Sequence, residues 1–332
     1  MKGVRDAEYV YLSTRIKALE RGLLTRARVE RMLSAPSDQA AAQVLAECGY
    51  PQLDRVTGGA LEAALAQRQR EILEELDRSL PGRAVVEIFQ IQFDYHNVKV
   101  LVKAQALGTD QDRLLVGGGR YAPEALAANY RQGDLGGYSR QFQQGAARAR
   151  EVLGATGDPQ QADFVLDRAC FEELAHLAAQ TGSKFLMGYV ALRVDAANLR
   201  AAVRCARLGK GGEFLRQVLV PGGTVPPSGL AGVSGENLGS VFPTGPLAAA
   251  AAAGSAVASP GSGPLTKFEG LCGQAIAAYV DQGRRAAFGV EPIVGYLYAR
   301  QREATAIRII MAGRMAGLDG ETIRRRLRQS CC

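Results

Sequence analysis

Three stretches of this 332-residue chain align with one another without a gap. They are DYHNVKVLVKAQALG (94–108), DAANLRAAVRCARLG (195–209) and EATAIRIIMAGRMAG (303–317). Each opens on a carboxylate (Asp94, Asp195, Glu303), carries a base five residues on (Lys99, Arg200, Arg308) and closes on a glycine nine residues later (Gly108, Gly209, Gly317). Asn97 and Asn198 coincide, whereas the third copy has Ala306. Such a recurrence predicts a repeat architecture, in which one supersecondary unit is used three times. The unit itself reads as a helix. An early acid and a later base complement the helix dipole, and a final glycine can take the left-handed conformation that stops a helix without strain.

The rest of the chain has the same period. Tyr9, Leu12, Ile16 and Leu19 fall at steps of three and four, as do Leu61, Leu65, Ile72, Leu73, Leu76 and Leu80 before the stop at Pro81-Gly82. Period-2 alternation is almost absent, so any sheet is minor. Two glycine segments, LVGGGRY (115–121) and LVPGGTV (219–225), follow the first two copies at similar distances. A phosphate-binding loop requires a Lys and a hydroxyl directly after its last glycine. Here Arg120 and Tyr121 follow Gly119, so both segments are expected to be turns between helices. The repeat predicts units at 1–108, 109–209 and 210–332. Residues 221–264, rich in Gly, Pro and Ala, read either as short helices in loops or as a mobile insertion, with LAAAAAAGSAVAS favouring helix up to Pro260.

Composition removes several function classes. The net charge of +7 is concentrated at one end, where residues 284–328 hold ten arginines against four acids. A basic end points to an acidic partner, an anionic surface or nucleic acid. Arg324, Arg325 and Arg326, with Arg5 and Arg15 near the start, are the candidate docking residues. No aromatic interleaves the basic run, so a specific nucleic-acid partner is not expected, and a basic helical nucleic-acid-binding protein is the alternative reading. The six cysteines form no C-x-x-C pair, and His96 and His176 lie far from them in sequence except for Cys170, so no metal or cofactor is expected. Cys170 and His176 are six apart, on different faces of a helix, which does not suit a dyad. Asp94 with His96 would be an acid/base pair, but the other copies put Ala197 and Thr305 where His96 stands. No catalytic residue is assigned. The first twenty residues are charged throughout and have no leader core, and no stretch is apolar enough to span a bilayer. Cys331-Cys332 reads as a tolerated end rather than a lipidation signal.

The residues around FQIQFDYHNVKVLVKAQALG and LLVGGGRY, the late FGVEPIVGYLYARQREATAIRIIMAGRMAGLDGETIRRRLR, and the opening YVYLSTRIKALERGLLTRARVERML resemble the C-type central-stalk protein of bacterial and archaeal V/A-type ATPases. The eukaryotic counterpart of that family is the d-type stalk protein of the vacuolar proton pump. The resemblance implies an all-α fold of three similar helical bundles around a pseudo-threefold axis, a funnel with a central socket. It also implies a non-catalytic rotor adapter between the central shaft subunits and the membrane rotor ring, peripheral on the cytoplasmic face. Two features depart from the family pattern: Ala306 stands where Asn is expected, and residues 237–266 are poor in charge.

Overall fold

Helices begin where the sequence offers a side-chain oxygen. Thr25, Ser37, Thr57, Ser139 and Ser183 each accept a hydrogen bond from the amide three residues on, at 3.1–3.3 Å. Each such cap satisfies one of the orphan amides of a first turn and contributes about 1 kcal/mol. The computed structural model describes residues 9–330, and no strand occurs among them. The expectation of an all-helical chain holds.

In chain order the helices are α1 (Val10–Leu19), α2 (Arg26–Ser34), α3 (Asp38–Glu47), α4 (Gly58–Asp77), α5 (Ala84–Leu107), α6 (Pro123–Gln132), α7 (Arg140–Thr156) and α8 (Pro159–Thr181). They continue with α9 (Lys184–Arg207), α10 (Gly212–Val218), α11 (Pro227–Ala231), α12 (Leu238–Val241), α13 (Ala248–Ala256), α14 (Thr266–Gly283), α15 (Glu291–Met315) and α16 (Gly320–Ser330). The segment 221–264 is therefore short helices in loops. Leu230, Leu238, Leu247, Ala250 and Ala251 bury its apolar side.

Two compact units emerge. One is continuous, Arg83–Gly263, and the other joins the chain up to Gly82 with the chain from Pro264 onward. In the continuous unit α8 packs on α5, α7 and α9. Tyr95 meets Phe142 edge-on with ring centroids 5.3 Å apart, and Phe89 stacks on Tyr189 at 5.9 Å. The two-segment unit is built around α15, against which α1, α3, α14 and α16 pack. Its core draws Met32, Leu45, Leu61 and Leu65 from the start of the chain and Ile307, Ile310, Met311 and Ile323 from the end. Arg314 ties the two segments with its whole guanidinium. It donates to the carbonyls of Met32, Leu33 and Ala35, which are orphan acceptors at the end of α2, and to Asp38.

The long helices α5, α9 and α15 contain the three aligned stretches. Each ends in the same two-bond wrap: Gly108, Gly209 and Gly317 stand at φ 62°, 63° and 70°, and the following amide returns to the carbonyl five residues back (Thr109 to Ala104, Lys210 to Cys205, Leu318 to Gly313). A side chain at φ near +65° is strained, so the closing glycines of the repeat are backbone requirements.

Candidate functional site

The carboxylate of each long helix is buried and receives a turn from elsewhere in its unit. Asp94 is fully buried in α5, and its Oδ1 accepts the amide of Arg120 at 3.0 Å and that of Tyr121 at 3.4 Å. One helical turn on, Asn97 clamps the same segment from both sides: its Nδ2 donates to the Val116 carbonyl and its Oδ1 accepts the Val116 amide, each at 2.8 Å. In α9, Asp195 accepts the amides of Thr224 and Val225 at 3.0 and 3.2 Å, and Asn198 clamps Val220 at 2.8 and 2.9 Å. The carboxylate and the amide, three residues apart, lie on one face of a helix and together hold an extended strip of backbone.

This explains the glycine segments, which are turns as expected. The first glycine of each pair, Gly118 or Gly222, has φ 96° or 105°. The second allows close approach, since a Cβ on Gly119 would lie 2.2 Å from Asp94 Oδ1 and one on Gly223 would lie 2.1 Å from Asp195 Oδ1.

The third copy has no glycine pair after it, yet the arrangement recurs. Glu303 of α15 is buried and its Oε2 pairs with Arg300 at 2.8 Å; the Leu24 amide and Tyr50 hydroxyl face it from the turn, but its Oε1 has no hydrogen-bond partner among the described residues, so the third arrangement is looser than the other two. Leu24 stands two residues before the first residue of α2, as Tyr121 does before α6 and Val225 before α11. Gly22 takes the place of Gly119 and Gly223, four residues ahead of the helix. The turn for the last long helix thus comes from the opposite end of the chain. Ala306 becomes intelligible as well. The residue matching Val116 and Val220 is Leu19, the last residue of α1, whose amide is satisfied within that helix and so needs no amide clamp. Gly22 is also more open, its nearest neighbour being the Cys48 carbonyl at 3.8 Å. A glutamate, one methylene longer than aspartate, spans that distance.

Burial sets the electrostatics of these sites. It pushes the Asp94 carboxyl up to about 6 against the pull of Arg120, and Glu303 up to about 7 against that of Arg300. Arg120 bridges Asp94 Oδ2 and Glu173 Oε1, both at 2.6 Å, and Tyr95 donates to the other Glu173 oxygen at 2.9 Å. Breaking one member of such a buried network leaves an uncompensated charge. Arg120, Glu173, Tyr95 and Tyr50 are partners that sequence spacing does not reveal, because nothing local links position 94 to 173 or 50 to 303.

The repeat bases serve the scaffold. Lys99 pairs with Asp167 on α8 at 2.5 Å, and Arg308 pairs with Glu62 on α4 at 2.8 Å. Arg200 is half-buried on α9 and also engaged. Among the docking candidates, Arg15 pairs with Glu75 at 2.7 Å and Arg324 with Glu30 at 2.7 Å. Arg325 and Arg326 are exposed, with no ion pair among the described residues, and Arg5 lies outside those residues, as do Cys331 and Cys332. His96 points to solvent, with its Nε2 3.2 Å from the Leu114 carbonyl, so it does not share a site with buried Asp94. Burial pushes the Cys170 thiol up to about 12, and His176 contacts Gln180 instead. No cluster of potential metal ligands and no helix long and apolar enough to cross a membrane occurs among the described residues.

The helix-borne carboxylates facing turns are spread over the length of the chain, and comparison with known proteins likewise covers most of it. Residues 12–326 match the family model of the ATP synthase (C/AC39) subunit. The chain belongs to this family. It is 23% identical over 330 residues to the C-type subunit of the V-type sodium ATPase of Enterococcus hirae, covering 97% of this chain and 98% of that protein. It is 28% identical over 233 residues to the C-type subunit of the V-type ATP synthase of Thermus thermophilus, covering 64% of this chain and 70% of that one. To the C-type subunit of the A-type ATP synthase of Haloferax volcanii it is 26% identical over 285 residues, or 80% and 78% of the two chains. The family is that of a rotary-ATPase subunit, structural rather than catalytic.

Proposed function

We propose that this chain is a non-catalytic rotor adapter of a V/A-type ATPase or synthase. In this reading it links the central shaft to the membrane rotor ring and transmits torque between ATP chemistry in a soluble head and ion movement through the membrane. It sits peripherally, on the cytoplasmic face. The observation that carries the reading is the triple recurrence of a long helix whose buried carboxylate faces a turn, hydrogen-bonded to it in α5 and α9 and looser in α15. Three such elements suit an arrangement about a pseudo-threefold axis with a central socket, and each repeat is then best bounded to keep its turn with the helix it locks. Torque transfer requires parts that do not yield. The buried turns on α5 and α9, each held by a carboxylate and an amide, have few alternative states, and close-packed interiors transmit strain.

The test is co-purification. The tagged chain, recovered from detergent-solubilised membranes, should bring down the shaft subunits and the rotor-ring protein, identified by mass. Recovery of the chain alone, or with nucleic acid and no ATPase subunit, would overturn the proposal.

A further inference from the structure

Helices α2 and α16 pack side by side in the two-segment unit and together present seven arginines, no lysine and two glutamates. Both glutamates are engaged: Glu30 by Arg324, and Glu321 by Arg324 and Arg328. Arg28 and Arg31 are taken up by Glu47 of α3, and the three arginines that remain are uncompensated. Arg26 on α2 and Arg325 and Arg326 on α16 are exposed and make no ion pair among the described residues. Arg26 lies close enough to Glu30 to act on its charge, so it stands beside the Glu30–Arg324 bridge that joins the two helices. Ile323 anchors α16 in the core, and the Arg324–Glu30 pair joins it to α2.

We propose that this arginine face of α2 and α16 is a docking site for an acidic polypeptide segment of a partner protein, with Arg26, Arg325 and Arg326 as its contacts. Three features favour a polypeptide over the other anionic surfaces. Arginine presents a planar fork that pairs with carboxylates through two parallel bonds, and every cation here is arginine. Paired glutamates interrupt the positive field, which weakens a diffuse attraction to lipid or phosphate more than it weakens contacts made one carboxylate at a time. No large exposed apolar side chain on either helix is available to enter a bilayer, and no aromatic is available to stack on a base. The proposal rests on the adapter reading for its choice of partner and narrows the docking residues, since Arg324 is already committed within the chain.

The full chain is titrated with a fluorescent oligo-glutamate peptide at low ionic strength and followed by anisotropy. R325E/R326E should weaken binding by about tenfold, the sum of two exposed charge pairs. R113E/R140E, which makes the same change in net charge on exposed arginines of the continuous unit, should change it by less than about twofold. Arg26→Glu on the other helix supplies a second variant should α16 fail to fold, with circular dichroism reporting folding. Absence of peptide binding by the parent chain, or equal loss in the two double variants, overturns the proposal. So does tighter binding of the parent to phosphatidylglycerol vesicles or a DNA duplex that R325E/R326E abolishes. Loss of co-purification with ATPase subunits would instead strike the adapter reading and leave the peptide result standing.

Discussion

Single atoms decide whether a turn can lie on its helix. At Gly223 a methyl group would sit 2.1 Å from Asp195 Oδ1, whereas at Gly22 it would meet nothing nearer than 3.8 Å. Gly223→Ala and Gly119→Ala should each cost roughly 1–3 kcal/mol through overpacking, and Gly22→Ala less than about 0.5, as read from urea unfolding. Equal losses at all three positions would mean that the turns do not bear on the carboxylates as described. Glu303 provides a pH test. Its carboxyl is pushed up to about 7 by burial from an ordinary value of 4.5, with Arg300 and Arg68 opposing and Cys48 and Tyr50 alongside. Folding therefore favours the protonated form. This side chain contributes its full stabilisation below pH 4.5 and loses it as the pH rises through 7. Glu303→Gln should remove on the order of 1–3 kcal/mol of that decline between about pH 5 and pH 8, measured as the difference in unfolding free energy. An unchanged pH slope would refute the assignment.

Helices and their ends are largely legible in the sequence. Period and the glycine stops place α1, α4, α5, α9 and α15, because these signals act within a few residues. The turn at each carboxylate was half legible: LV-GG marks a turn, but nothing local says that Asn97 will take Val116 or Asn198 take Val220. The amide clamp can be weighed element by element. Asn198→Ala strands a buried amide and a buried carbonyl of Val220, so α9 and its turn should lose about 2–4 kcal/mol. Ala306→Asn should gain nothing measurable, because the corresponding backbone belongs to α1. A stabilised Ala306→Asn, judged by thermal melting, would show that the third turn lacks what the other two have. Least legible was the charge at docking positions. Arg15 and Arg324 read as free cations in one dimension and turn out to be paired with Glu75 and Glu30, residues 60 and 294 positions away.

At the scale of the molecule, the repeat reads straight along the sequence but the packing does not. The last long helix takes its turn, its core partners and its ion pair from the first eighty residues: Leu24, Met32, Leu45, Leu61 and Glu62 all serve α15. Residues 1–82 and 264–332, expressed as two separate polypeptides in one cell, should therefore co-purify as a helical complex. Recovery of either fragment without the other would show that the shared core cannot hold them. A ribosome makes Glu30 long before Arg324 and Leu24 long before Glu303. The opening helices must wait, their apolar faces unfilled, until nearly the whole chain has left the exit tunnel, while the continuous unit has every residue it needs much earlier. A chain cut short before Ile307 would lack the core partners of its opening helices, and its start, rather than its cut end, would be left exposed to proteases.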